Sequence, residues 1–375
     1  RMSTVIRSVN WRAVSLPAEE GPVLAAGEGS VLSAIKQTDV IYLDDHATTR
    51  LDPRALEAMM PYLTENFANP NSRHQPGDLA EKAVTLSRTE VAELIGGDRS
   101  EIIFTSGATE ANYAALLGAG RARRGHIISS TIEHKSVLAA LEVLEKDGHA
   151  VTLLAPNADG RIEPEAVAAA LRDDTILVTL MLANNEIGSL NPIAEIAALL
   201  RGRPADRYVL LHTDAAQAVG RIEINVDALD VDLLSLSGHK LYGPKGVGAL
   251  YVRARTGAKL APLIRGGGQE SGRRGGTLNV PGIVGLGRAS ELARAELHSE
   301  PKRVGALRDR LQRTLRESIP GLVINGAEAH QLPGNLSVSL PGVSGDTLMK
   351  RLVERLAVSS GSACAAGSDD VSHVL

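Results

Sequence analysis

Between residues 41 and 236 short apolar runs alternate with amphipathic stretches, and this alternation limits the fold more than any other feature of the sequence. Strand-like runs fall at 41–43, 102–104, 126–129, 151–154, 176–182, 209–212 and 231–236. Helical patterns fall between them, at 53–63, 78–95, 109–117, 135–146, 164–171 and 192–200. In the second of these, Leu79, Ala83, Leu86, Val91 and Leu94 are expected on one buried face. Strands that each return through a helix pair in parallel, so the expected class is α/β with a mainly parallel central sheet. Past this region come helical stretches at 283–296 and 301–317, a strand at 336–340, a helix at 345–356 and a strand at 357–359. These predict a smaller α+β unit. The expected division is an N-terminal extension over 1–39, a large α/β domain over 40–298 and a small domain over 299–375.

Composition excludes several partners. The net charge is −4 and aromatic residues make up 2%, which speaks against nucleic acid as an electrostatic or stacking partner. No apolar run approaches the roughly 20 residues of a membrane span. The single cysteine, Cys364, rules out an intrachain disulfide and leaves no cysteine cluster for a metal. A reducing cytoplasm is the simplest setting.

Parallel sheets bind ligands at the carboxyl ends of their strands, and polar clusters stand where those ends are expected. Ser106-Gly107-Ala108-Thr109 follows one strand and opens a helix, as an anion site or an ordinary N-cap turn would. His134 follows another, free to stack on a flat ring, to move protons or to cap a helix. Asn184-Asn185-Glu186 is a turn or a ligand site. Asp214, with Gln217 after it, is a carboxylate able to keep a ring nitrogen protonated, or a helix N-cap. Ser237-Gly238-His239-Lys240 leaves the run at 231–236 and enters Tyr242-Gly243-Pro244-Lys245-Gly246. A lysine at a strand exit among hydroxyls and a histidine is either a surface-turn residue or a Schiff-base amine kept from bulk water.

In this order the parts resemble fold-type I pyridoxal-phosphate enzymes of the class V aminotransferase branch. The run from about 41 to 375 is similar to the cysteine desulfurases of the NifS/IscS type. The resemblance lies in Asp44-Asp45-His46-Ala47-Thr48-Thr49, Asn69-Pro70-Asn71-Ser72, Phe104 to Glu110, Thr131-Ile132-Glu133-His134-Lys135, Asn184 to Gly188, Asp214-Ala215-Ala216-Gln217, Ser237 to Gly246 and Ser359-Ser360-Gly361-Ser362-Ala363-Cys364. It implies pyridoxal 5'-phosphate as cofactor, carried by Lys240. Asp214 would pair with the ring nitrogen, Gln217 would bond the ring hydroxyl, and His134 would stack on the ring. Ala108, Thr109, Ser237 and His239 would bind the phosphate. Asn185 would touch the substrate or the ring. Thr277, in Arg274-Gly275-Gly276-Thr277, would reach the phosphate of a neighbouring subunit, which implies a homodimer with shared sites.

Granted that resemblance, Cys364 is the expected nucleophile, since the surrounding Gly361, Ser362, Gly367 and Ser368 suit a mobile loop better than a packed core. The implied reaction converts L-cysteine to L-alanine, leaving a persulfide on Cys364 for an acceptor protein. The acceptor would serve iron–sulfur cluster assembly or thio-modification of tRNA. Members of such families continue past the position of Leu375 and carry there an arginine that clamps the substrate carboxylate. A shortened small domain without that arginine is therefore expected in this chain. Other readings on the same scaffold are a selenocysteine lyase, a cystine C–S lyase or a weakly active sulfur-relay subunit.

Overall fold

The computed structural model describes residues 40–257, 260–359 and 372–375. After a two-residue strand β1 (Ile41–Tyr42) come β2 (Ile102–Thr105), β3 (His126–Ser130), β4 (Ala150–Leu154), β5 (Thr175–Thr179), β6 (Leu210–Asp214), β7 (Leu233–Ser237) and β8 (Gly248–Val252). The last seven form one sheet in the order β2-β8-β7-β6-β5-β3-β4. β8 runs antiparallel to both its neighbours, and every other pair in the sheet is parallel. This is the expected α/β architecture.

The side-chain period of two divides each strand between two cores. Ile102, Phe104, Ile128, Val178, Leu211 and Leu234 face one of them. Their sequence neighbours Ile103, Ile127, Leu177, Leu210 and Leu233 face the other. Helices α1 (Pro53–Thr64) and α2 (Gln75–Leu94) contribute to the first core, and α3 (Ala108–Ala122) and α4 (Lys135–Lys146) to the second. With both faces covered, β2, β3, β5, β6, β7 and β8 are buried along their whole length. The other helices are α5 (Pro164–Ala170), α6 (Ile193–Arg201), α7 (Ala254–Gly257), α8 (Val280–Glu296), α9 (Glu300–Ser318) and α10 (Gly345–Leu352).

The expected face of α2 is corrected by the structure. The helix buries Gly77, Ala80, Val84, Ser87, Val91 and Leu94, and it exposes Leu79 at 46% and Leu86 at 63%. The reason is close packing against α8. A Cβ added at Gly287 of α8 would stand 2.6 Å from the Cα of Ser87, so small residues occupy the seam and the leucines point away.

At the C-terminal side, β9 (Val323–Ile324) pairs antiparallel with β10 (Val338–Ser339), and β11 (Leu356–Ala357) pairs parallel with β1. The start of the described chain is thus hydrogen-bonded to its far end, across the boundary expected at residue 298. Among the described residues no helix is long and apolar enough to cross a membrane. No group of three or more His, Cys, Asp or Glu among them could hold a metal ion.

Candidate active site

β2, β3, β5, β6 and β7 run parallel, directly or across β8, so their carboxyl ends share one side of the sheet. A cavity of about 420 Å³ lies there. Its lining includes Ala108, Thr109, His134, Asn185, Asp214, Gln217, Ser237, His239 and Lys240. Thr277 stands outside it, exposed on the segment before α8. Cys364 lies outside the described residues.

Lys240 ends a single 3-10 turn, Gly238–Lys240, that follows β7. Two residues on, Tyr242 has φ +63°, a left-handed conformation that a tyrosine adopts only when neighbours hold it. Thr49 does much of this. Its hydroxyl accepts the Tyr242 N–H at 2.9 Å and donates to the His239 carbonyl at 3.0 Å. The Tyr242 carbonyl accepts the Asp52 N–H at 2.9 Å. Lys240 Nζ donates to the carbonyl of Ala47 at 2.9 Å and to that of His46. The motif from Asp44 to Thr49 therefore acts mainly through its backbone and the hydroxyls of Thr48 and Thr49, the former 3.2 Å from His239 Nδ1, as the frame around the lysine.

At the opposite side, α3 starts at Ala108 with no side-chain cap, so its first N–H groups are open to an anion. The preceding Gly107 has φ +153°, and a Cβ there would meet Ser237 Oγ at 3.7 Å. Thr109, Ser237 and His239 add two hydroxyls and an imidazole to the same wall. Burial pushes the His239 ring down to about 4, and the charges of Lys240 and Lys245 push the same way. An anion at this wall would relieve both charges.

Asp214 ends β6 and is almost fully buried. Its Oδ1 accepts the Ala216 N–H at 2.9 Å, and its Oδ2 accepts from Asn112 at 2.7 Å. His134 is the N-cap of α4, and its Nδ1 accepts the Ser136 N–H at 3.1 Å. The capping role left open by the sequence is present for His134, whereas Asp214 folds a turn with no helix after it; both line the cavity. Gln217 donates from Nε2 to the His46 carbonyl at 3.0 Å, while its Oε1 is buried with no partner among the described residues. Asn184 folds the turn after β5 by accepting the N–H groups of Glu186 and Ile187 at 2.7 and 3.0 Å. Its neighbour Asn185 is left facing the cavity.

Glu133, next to His134, is fully buried, and desolvation pushes its carboxyl up to about 8. It accepts from Ser130 Oγ at 2.9 Å and from the Met181 N–H at 3.0 Å. A protonated form at neutral pH keeps this position from adding a second charge beside Asp214. Sequence reasoning passed over Asn112, which the structure puts against Asp214. The available signal was a polar residue three positions after Thr109, on the same face of an otherwise alanine- and leucine-rich helix.

A family model described as aminotransferase class V matches residues 41–374. The cysteine desulfurase IscS of Anaeromyxobacter dehalogenans (strain 2CP-C) is 50% identical over 339 residues, covering 89% of this chain and 83% of that protein. A mitosomal cysteine desulfurase of Trachipleistophora hominis is 45% identical over 356 residues, covering 92% of this chain and 80% of that protein. Among solved structures, a NifS-like protein superposes with TM-score 0.79 at 39% identity, over 83% of this chain and 85% of its own. SspA in complex with cysteine superposes with TM-score 0.78 at 38% identity, over 89% and 92% of the two chains.

Proposed function

The chain belongs to the class V aminotransferase family, among the cysteine desulfurases of the NifS/IscS type, and on that premise we propose that it converts L-cysteine to L-alanine and accepts the sulfur on Cys364. The observation that carries this reading is the one cavity on which an uncapped helix start, a strand-end carboxylate and a framed lysine converge. Enzymes of this family work with pyridoxal 5'-phosphate, and the residues present suit it. The orphaned Gln217 Oε1 needs a donor, which a ring hydroxyl supplies. The open N–H groups of α3, with Thr109, Ser237 and His239, suit a phosphate.

When bound, the cofactor supplies an electron sink that acidifies the substrate Cα and weakens the Cβ–S bond. The remaining roles fall to side chains. Lys240 supplies the amine that attaches the cofactor and then holds or returns a proton at the substrate carbon. Asp214 keeps the ring nitrogen protonated. His134 covers the ring face and exchanges protons there. Asn185 orients the substrate. The Cys364 thiolate forms an S–S bond to the substrate sulfur as the Cβ–S bond breaks, and alanine leaves after its carbon is reprotonated. The persulfide then passes to an acceptor protein of iron–sulfur cluster assembly or tRNA thiolation, in a reducing cytoplasm that suits a lone reactive thiol.

The working form is a homodimer. α1 exposes Leu56, Met60 and Leu63 on one face, and Phe67 beyond it is 79% exposed. Thr277, exposed away from its own cavity, would complete the phosphate site of the partner subunit. Incubation of the cofactor-loaded chain with L-cysteine and a reductant should release alanine and sulfide in equal amounts. Cys364→Ala should lose this while keeping the cofactor's visible absorbance. Desulfuration retained in that variant would remove Cys364 from the mechanism, and pyruvate with ammonia as products would replace the desulfurase reading by a lyase.

A further inference from the structure

We propose that Asn112 is a positioning residue that ties the Asp214 carboxylate to the His134 ring through Ser136, so that the two groups are held as one unit at the floor of the cavity. Asn112 is fully buried near the start of α3. Its Nδ2 stands 2.7 Å from Asp214 Oδ2 and 2.9 Å from Ser136 Oγ. The amide edge facing Asp214 must be the NH2, because an ionised carboxylate only accepts. Both amide protons are thereby committed, and Oδ1 is buried without a partner among the described residues. His134 Nδ1 accepts the Ser136 backbone N–H at 3.1 Å, which makes it an acceptor, so the Ser136 hydroxyl, 2.7 Å away, turns its proton toward the same nitrogen. With Nδ1 an acceptor twice over, the proton of the neutral ring sits on Nε2. An apolar side chain would fill the same space without leaving an oxygen unsatisfied. What the amide adds is orientation: one group binds the edge of the cavity where Asp214 stands and the wall where His134 stands.

This rests on the reading that the cavity takes pyridoxal 5'-phosphate, and the test separates the two. The cofactor is titrated by absorbance into the full chain from which it has been stripped. An unaltered chain that does not bind it ends the cofactor reading, whereas the variants bear on Asn112. Asn112→Ala is expected to weaken binding about tenfold and Ser136→Ala about threefold, the scale of one charge-assisted and one neutral hydrogen bond. The double variant is expected to bind no more weakly than Asn112→Ala alone, since both changes break one network. Unchanged affinity with a lowered melting temperature makes Asn112 a packing residue and overturns the proposal. A double variant weakened about thirtyfold, the product of the singles, overturns the link through Ser136. Independently of any ligand, 15N NMR of the stripped chain is expected to show His134 as the Nε2–H tautomer, and a proton on Nδ1 would overturn the network. Should Asn112→Ala fail to fold, Ser136→Ala with unaltered affinity also overturns it.

Discussion

The Lys240 turn and the loop from Gly266 to Thr277 both hold non-glycine residues at positive φ, Tyr242 at 63° in the first and Glu270 at 49° with Ser271 at 55° in the second. Their anchors differ. The Lys240 turn is fastened mostly by neutral groups, the Thr49 hydroxyl, backbone N–H groups and carbonyls of the 44–49 segment, with Arg221 also donating to the Lys240 carbonyl at 3.2 Å. The second loop is fastened by charge. Glu270, buried to 1%, accepts from Arg88 at 2.6 and 2.7 Å and from the Phe104 N–H at 2.9 Å. Arg274 donates to Glu110 at 2.8 and 3.3 Å, in the first turn of α3. One loop faces its own cavity, and the other presents Thr277 outward. Carboxylates do stand near the lysine, Asp214 on the same cavity and Asp45 at 3.5 Å from the Tyr242 hydroxyl, but the hydrogen bonds that fix its turn come mostly from backbone and hydroxyl groups. In the second loop ion pairs fix the segment.

The largest effect should come from the first loop. Lys240→Ala removes the attaching amine but none of the bonds that Thr49 makes. Desulfuration is expected to fall below detection with the melting temperature nearly unchanged, as product assays and thermal unfolding would show. A large drop in melting temperature would mean that Lys240 is part of the frame and not only its cargo. Next comes Glu270→Ala, which strands Arg88 and should cost about 3–5 kcal/mol by urea unfolding. A change below about 1 kcal/mol would place this pair with ordinary surface ion pairs and erase the contrast. Thr49→Val leaves the Tyr242 N–H without its acceptor and should cost about 1–3 kcal/mol, with weaker cofactor binding in the same titration.

A further effect is on pH dependence, and it separates the two loops. The His239 ring is depressed to about 4 from its ordinary 6.5. Between those values the unfolded chain binds a proton that the folded chain does not, so the stability of the ligand-free protein falls as pH drops from about 6.5 to about 4. For Glu110, burial alone would raise the carboxyl, but hydrogen bonds from Arg274 and Ser106 hold it below its ordinary 4.5. Its contribution is present above that pH and is lost as pH falls through the depressed value. Melting temperature against pH should have a shallower upper limb in His239→Asn, the remainder coming from the equally depressed His212, and a shallower lower limb in Glu110→Gln. An upper limb unchanged in His239→Asn would assign it to other groups.

Much of the site was legible because its clues are local. A buried strand that breaks into polar residues marks a sheet end, and five such breaks placed Thr109, His134, Asn185, Asp214 and Lys240 around one cavity. Six of the sheet's seven strands followed from the same alternation, whereas β8 runs antiparallel and the run at 41–43 stands outside the sheet. The inner face of α2 was misread for a different reason. Hydrophobicity ranks leucine above alanine, but a close helix crossing selects for size, and Gly77, Ala80 and Ser87 went inside in place of Leu79 and Leu86. The β1–β11 pair was not legible, since two residues on each strand carry no pattern and their partners come from opposite ends of the described chain.

Taken alone, the sequence determined the fold class, the order of polar clusters along the chain and the candidates for the reactive groups, because periodicity and strand ends are set by neighbours a few residues apart. Only the tertiary structure decided how those groups are held. That Thr49 frames Lys240, that Asn112 bonds Asp214, and that Arg88 and Arg274 pin the segment bearing Thr277 are contacts between distant parts of the chain. Such contacts depend on distances of a few ångströms between side chains. No local pattern encodes those distances, and they arise only when the sheet brings the elements together.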